Sequence, residues 1–187
     1  MGEGGLSRRL PSGSTKMIDQ LEIARHFDRR AASYAEKYNA LEMRHLYEFE
    51  KLQRLEWTLQ WLESFAAQHP ATRLLDVGCG QGQLIRRFLK RQTDCQALGI
   101  DLSTAMIQHA QKECRDLRAR WQVCPASEVS GAYDVVTSLG VVGYQEDQLE
   151  FVRLLADRVA PGGWLVLSFG NRRSLLRKAR QSAQSVR

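Results

Sequence analysis

The chain has 187 residues, 43% of them hydrophobic and 26% charged, and a formal net charge of +6. This is the size and composition of one globular domain, which buries roughly 70% of its unfolded surface without a disulfide or metal staple. No apolar run approaches the ~20 residues of a membrane span. No apolar stretch follows Arg8 and Arg9 as in a secretory signal, and Leu6 stands where myristoylation wants Ser or Thr.

Residues 1–16 are rich in Gly, Ser and Pro and read as a disordered leader. Residues 17–69 read as a helical cap. Leu52, Leu55, Leu59, Leu62 and Ala66 recur at three- and four-residue steps, Asp28 to Asn39 is polar enough to split the cap in two, and His69-Pro70 ends it. Then the period changes. Arg73–Val77 is a short buried strand and Gln83–Arg91 a helix with Leu84, Ile85, Phe88 and Leu89 apolar. Gln96–Ile100 is a second strand closed by Asp101, and Ser103–Arg118 a helix striped by Met106, Ala110, Cys114 and Leu117. Trp121–Cys124 and Tyr133–Ser138 are the third and fourth strands. Glu146–Val159 is a helix with Leu149, Val152, Leu155 and Val159 inward, and Trp164–Phe169 a fifth strand after the Pro161-Gly162-Gly163 turn. Strands alternating with helices define an α/β doubly wound, mainly parallel sheet over residues 70–170, with a ligand crevice at the carboxyl ends of the strands.

The net charge is concentrated in residues 171–187, which contain Arg172, Arg173, Arg177, Lys178, Arg180 and Arg187 and no acid, so the remainder is neutral. A solvated basic helix or tail is the expectation. Without aromatics it offers no stacking platform, so nucleic acid is not expected as a partner. Cys79, Cys95, Cys114 and Cys124 form no C-x-x-C pair and no His lies at ligand spacing, so reduced thiols in the cytoplasm and no metal site are expected.

Gly78, Gly80 and Gly82 follow the first strand directly and open a helix, where absent Cβ atoms allow a sharp turn and close ligand approach. Asp101, about 20 residues further on, is placed to accept hydrogen bonds from ribose hydroxyls. Gln83 departs from the dinucleotide fingerprint. Asp76, two residues before Gly78, puts a negative charge where a pyrophosphate wants unopposed amide donors. S-adenosylmethionine, with an ammonium group and no phosphate, suits that charge.

Leu74–Leu84 (LLDVGCGQGQL), Leu98–Ser103 (LGIDLS), Tyr133–Ser138 (YDVVTS) and Val159–Leu167 (VAPGGWLVL) together resemble the successive motifs of the class I S-adenosylmethionine-dependent methyltransferases. The resemblance implies a Rossmann-like sheet of order 3-2-1-4-5 behind an amino-terminal cap. It implies that Gly78, Cys79, Gly80 and Gly82 line the methionine portion and that Asp76 reaches the amino group. Asp101 would hold the ribose. Leu102 and Met106 would meet the adenine, with Ala126 and Ser127 at its edge and Ser138 and Leu139 beneath the sulfonium. His26-Phe27-Asp28 with Ala31, Tyr34 and Tyr38 resembles the opening segment of methyltransferases acting on quinone precursors and similar small molecules. Tyr34, Tyr38 and Tyr144 are therefore the expected acceptor-facing residues.

Three departures qualify this picture. Cys124-Pro125-Ala126 replaces the family's Gly-Asp-Ala and removes a carboxylate and an amide donor from the adenine site. Thr137-Ser138-Leu139-Gly140 replaces Asn-Pro-Pro-Tyr, which argues against amino methylation of bases and for transfer to oxygen or carbon of a small molecule. Residues 171–187 accommodate a helix but not the family's terminal strand pair, leaving the fifth strand as an edge open to a second copy or a partner chain. No side chain stands out as a catalytic base, and holding acceptor and donor in line supplies much of the rate of such a transfer. The alternative is a non-catalytic or partner-dependent S-adenosylmethionine-binding module.

Overall fold

A computed structural model describes residues 20–31 and 46–170. The expectations for the leader, for Tyr34 and Tyr38, and for the basic tail fall outside these residues. Helices α1 (Gln20–Asp28) and α2 (Leu46–Gln68) precede an alternating core. It runs β1 (Arg73–Val77), α3 (Gln83–Arg91), β2 (Gln96–Asp101), α4 (Thr104–Glu113), β3 (Ala119–Val123), β4 (Tyr133–Leu139), α5 (Gln148–Ala156) and β5 (Val159–Ser168). All pairings are parallel, in the order β3-β2-β1-β4-β5. This is the expected doubly wound sheet. The order reverses between β1 and β4, and a crevice opens there at the strands' carboxyl ends.

Alternation along the central strands supplies both faces. Leu74 and Val135 join the core formed with Leu59, Leu62 and Phe65 of α2 and Ile85 and Phe88 of α3. Leu75, Val77 and Val136 point the other way, to Ile100, Phe151 and Leu155. The spacing Leu55-Leu59-Leu62-Ala66 does place one buried face of α2 inward. Each fully buried leucine of this kind contributes roughly 1.5–3 kcal/mol. At the rim, Arg91 pairs with Glu63 at 2.6 Å and Arg87 with Glu56, joining α3 to α2.

Several boundaries differ from the sequence reading. Helix α4 stops at Glu113 because Cys114 takes an extended backbone. Arg118 then turns back to donate to the carbonyls of Leu89, Gln92 and Thr93 that end α3, which leaves Leu117 96% exposed rather than on the inward stripe. Helix α5 ends at Ala156, so Val159 opens β5, and Leu149 is exposed. The Pro161-Gly162-Gly163 turn lies inside β5 as an irregularity, where the pairing steps from Tyr133↔Val159 to Val135↔Trp164. Among the described residues β5 is an edge strand, and no helix is long and apolar enough to cross a membrane.

Candidate active site

A cavity of about 1090 Å³ occupies the switch point, lined by the carboxyl ends of β1, β2 and β4, the loops that follow them, and α1 and α2. Small-molecule sites run to about 300–1,000 Å³, so there is room for a cofactor and an acceptor together.

The glycine loop is built by its own backbone. Gly78 and Cys79 both donate their amides to Ile100 O, at 2.8 and 2.9 Å, and Gly82 N donates to Cys79 O at 3.0 Å. Gly80 N donates to Asp101 Oδ2 at 2.9 Å. Four loop amides are thus already engaged by the protein, and a phosphate would find none of them free. Gly80 sits at φ 53° with open space where a Cβ would project, while a Cβ on Gly78 would run into Val141.

Among the carboxylates that line the cavity, Asp76 and Asp101 lie at the ends of β1 and β2. Asp76 accepts from Thr137 Oγ1 at 2.7 Å. Burial pushes its carboxyl up to about 7, with the Asp101 charge adding to the rise and the Thr137 hydrogen bond and Arg54 opposing it. Among the described residues no ion pair is formed by its carboxylate, and an ammonium group would supply the opposite charge. Asp101 is fixed from both sides, accepting from Gly80 N on one oxygen and from Ser103 N at 2.9 Å on the other. Burial raises its carboxyl, and the Ser103 and Gly80 amides oppose the rise. Each oxygen retains a lone pair for a ligand hydroxyl.

The cap and the glycine loop contribute further groups to which the sequence patterns assigned no role in the site. Arg54 of α2 lines the cavity, donates to Ser168 Oγ at 3.3 Å and lies against Gly140. Lys51 lines the same wall. Gln81 is buried, donates through Nε2 to Ala31 O at 2.6 Å, and keeps Oε1 buried without a partner among the described residues. Phe27 of α1 meets Tyr144 edge-to-face, with centroids 5.5 Å apart. Beyond Leu139 the wall continues through Ile23, Phe27, Tyr144, Phe151 and Leu154. Helical spacing in the sequence gives Arg54 no mark. Only the approach of α2 to the mouth of the sheet does.

The structure brings Asp76, Gly78, Cys79, Gly80, Asp101, Leu102, Met106, Ala126, Ser127, Leu139 and Tyr144 to the cavity wall. Gly82 and Ser138 stand apart from it. Gly82, at φ 71°, makes room for the Trp121 indole, which packs against it and Gly99. Ser138 is fully buried and donates to Val77 O at 3.1 Å, joining β4 to β1. Cys124 and Pro125 line the cavity too, so the departure at Pro125 falls within the site. Among the described residues no cluster of His, Cys, Asp and Glu is arranged to hold a metal.

A parallel sheet of this order, with a glycine loop after β1 and a carboxylate at the end of β2, is a doubly wound α/β domain with its crevice at the switch point. The pattern of a methyltransferase domain matches residues 47–187, and the chain belongs to that family, the class I S-adenosylmethionine-dependent methyltransferases. The ubiquinone biosynthesis O-methyltransferase of Leptothrix cholodnii is 34% identical over 124 residues, which are 61% of this chain and 51% of that protein. The enzyme of the same name from Acinetobacter baylyi is 29% identical over 163 residues, 83% of this chain and 64% of that one. The chain therefore spans about half to two-thirds of the length of these relatives. Among solved structures, the magnesium protoporphyrin IX methyltransferase of Synechocystis PCC 6803, with bound S-adenosylmethionine, shares the fold at a TM-score of 0.71 and 19% identity, over 86% of this chain and 80% of that one. A methyltransferase from Geobacter sulfurreducens, in complex with S-adenosylhomocysteine, superposes at a TM-score of 0.51 with 25% identity, over 58% of this chain and 46% of that one.

Proposed function

We propose that the domain binds S-adenosylmethionine in this cavity and transfers its methyl group to an oxygen of a small aromatic acceptor of the quinone-precursor kind. The observation that carries the reading is the pairing of an inward-turned loop with two opposite charges. The amides of Gly78, Cys79, Gly80 and Gly82 are engaged internally, which disfavours a pyrophosphate, while Asp76 and Arg54 together suit the ammonium and carboxylate of an amino acid. Gly78, Cys79 and Gly80 would lie along the methionine portion, with the Gln81 amide behind them. Asp101 would take the ribose hydroxyls, Leu102, Met106, Ala126 and Ser127 would flank the adenine, and Leu139 would lie beneath the sulfonium. Gly82 and Ser138 act here as supports of the loop and of β4.

The bound cofactor supplies an already activated methyl group. The chain's task is then to exclude water and hold the acceptor oxygen at about 3 Å in line. The apolar and aromatic wall formed by Ile23, Phe27, Tyr144 and Phe151 suits a flat ring. The names of the curated relatives support oxygen as the acceptor atom. Four free cysteines, three of them buried, suit a reducing compartment, which we take to be the cytoplasm. The test is calorimetry with S-adenosylmethionine, S-adenosylhomocysteine and NAD, followed by transfer of a labelled methyl group to a panel of phenols and catechols. Binding of S-adenosylhomocysteine with turnover of a phenolic acceptor is expected. Binding of NAD alone would refute the cofactor assignment, and cofactor binding without transfer to any hydroxyl would refute the reaction.

A further inference from the structure

Helix α1 has no buried side chain. Its Ile23 and Phe27 are half-buried and, with Gln20, form part of the cavity wall. Among the described residues, two polar attachments join this segment to the core. Ala31 O accepts from Gln81 Nε2 at 2.6 Å, and Asp28 Oδ1 accepts from Ser103 Oγ at 2.5 Å and from Ala105 N at 3.1 Å. Both attachments end on segments that carry ligand groups: Gln81 follows Gly80, and Ser103 closes the turn that begins at Asp101.

We propose that Asp28 is a positioning residue for cofactor binding, fastening α1 to Ser103 and through Ser103 holding the Asp101 carboxylate in its ligand-accepting pose. The relay is continuous. Asp28 fixes the Ser103 side chain, and the Ser103 amide donates to Asp101 Oδ1 at 2.9 Å. Ser103 caps α4 by accepting from Met106 N at 3.1 Å, and Asp28 adds a second acceptor at the same helix start through Ala105 N, so its carboxylate both completes the cap and ties α1 to it. Simple electrostatics does not favour Asp28. The Asp28 charge faces a second carboxylate and pushes the Asp101 carboxyl up, so charge alone works against an ionised ribose acid. The hydrogen bonds give Asp28 its value at this place. When α1 is fastened the cavity has its full wall, and when it is loose only the fraction of molecules in the fastened state binds well.

This inference rests on the cofactor reading above, so the first measurement is S-adenosylhomocysteine binding to the wild-type chain by calorimetry. No binding there would overturn the cofactor reading and this proposal with it. With wild-type binding in hand, Asp28→Ala is expected to raise the Kd and the dissociation rate about tenfold. Asp28→Asn, which keeps an oxygen acceptor, should stay within about threefold. In turnover, Asp28→Ala should raise the KM for S-adenosylmethionine while kcat at saturating cofactor stays put, a split that loss of fold stability would not produce. In a Ser103→Ala background the Asp28→Ala effect should shrink to about threefold or less, because the two residues form one relay. Unchanged affinity in Asp28→Ala with a lowered melting temperature would overturn the proposal. So would equal weakening by Asp28→Ala and Asp28→Asn, or tightening by both.

Discussion

Asp76 is expected to make cofactor binding depend on pH within the physiological range. In the unfolded chain its carboxyl titrates near 3.8, and in the fold burial carries it up to about 7. That rise corresponds to roughly 4 kcal/mol against the ionised form. Its sign is fixed by linkage: a raised folded value means the native state holds the proton more tightly than the unfolded chain. The stability contributed by this group is then complete below about pH 4, declines as pH rises, and levels off above about 7. An ammonium group requires the ionised form, so the apparent affinity should fall as pH drops, being about tenfold weaker at pH 6 than at pH 8. Calorimetry of S-adenosylhomocysteine in buffers of differing ionisation enthalpy counts the protons released, expected near one at pH 6 and near zero at pH 8. Asp76→Asn should bind weakly with most of this pH dependence removed, leaving only what Asp101 contributes. At pH 8 that variant should melt above the wild type, and at pH 4 it should not. An affinity flat between pH 6 and 8 in the wild type would refute the assignment of Asp76 to the amino group.

Asp101→Ala should weaken S-adenosylhomocysteine binding by about 1.5–3 kcal/mol, the usual worth of hydrogen bonds to a charged group, with the melting temperature as a control for folding. Arg54→Met should weaken the full cofactor about tenfold yet leave an analogue lacking the methionine carboxylate unaffected. Equal losses for both ligands would show that Arg54 acts only through its contacts with Ser168 and Gly140. Gly82→Ala should cost about 2–4 kcal/mol in urea unfolding, because the position needs a left-handed backbone and its Cβ would enter the Trp121 ring. Trp121→Leu in the same chain should return part of that loss.

The individual strands, the glycine loop and Asp101 were legible in the sequence because each depends on neighbours in the chain, whereas the sheet order followed from the resemblance of the successive motifs. Period-two apolar strands, Gly at left-handed positions and an acid at a strand end are local signals. Leu117 and Leu149 misled because both lie on a helical stripe, but α4 ends before Leu117, where Arg118 collects the carbonyls of α3, and Leu149 stands exposed in the first turn of α5. Gly82 and Ser138 belong to the right motifs, yet their side of the backbone faces Trp121 and Val77 rather than the cavity. Arg54 carried no signal, and Gln81 and Asp28 lay inside quoted motifs without being marked as site residues. Their parts in the site arise from the packing of the cap against the core, across intervals such as the 75 residues between Asp28 and Ser103.

The position of β1 at the centre of the sheet also shapes how the chain folds. β1 is complete by Val77, but one of its two neighbours, β4, arrives some 60 residues later, and the Thr137–Asp76 hydrogen bond closes across 61 positions. During synthesis Leu74 and Leu75 therefore wait, with one edge of their strand unpaired, until Val135 and Val136 have emerged. Loop closure of that length precedes the contacts that reward it, so folding should be slow for a chain of this size, with sheet formation appearing as a late, cooperative step. Shortening the α4–β3 region should speed refolding more than any change in the cap, and a chain stopped before Tyr133 should remain aggregation-prone however well its first three strands pair.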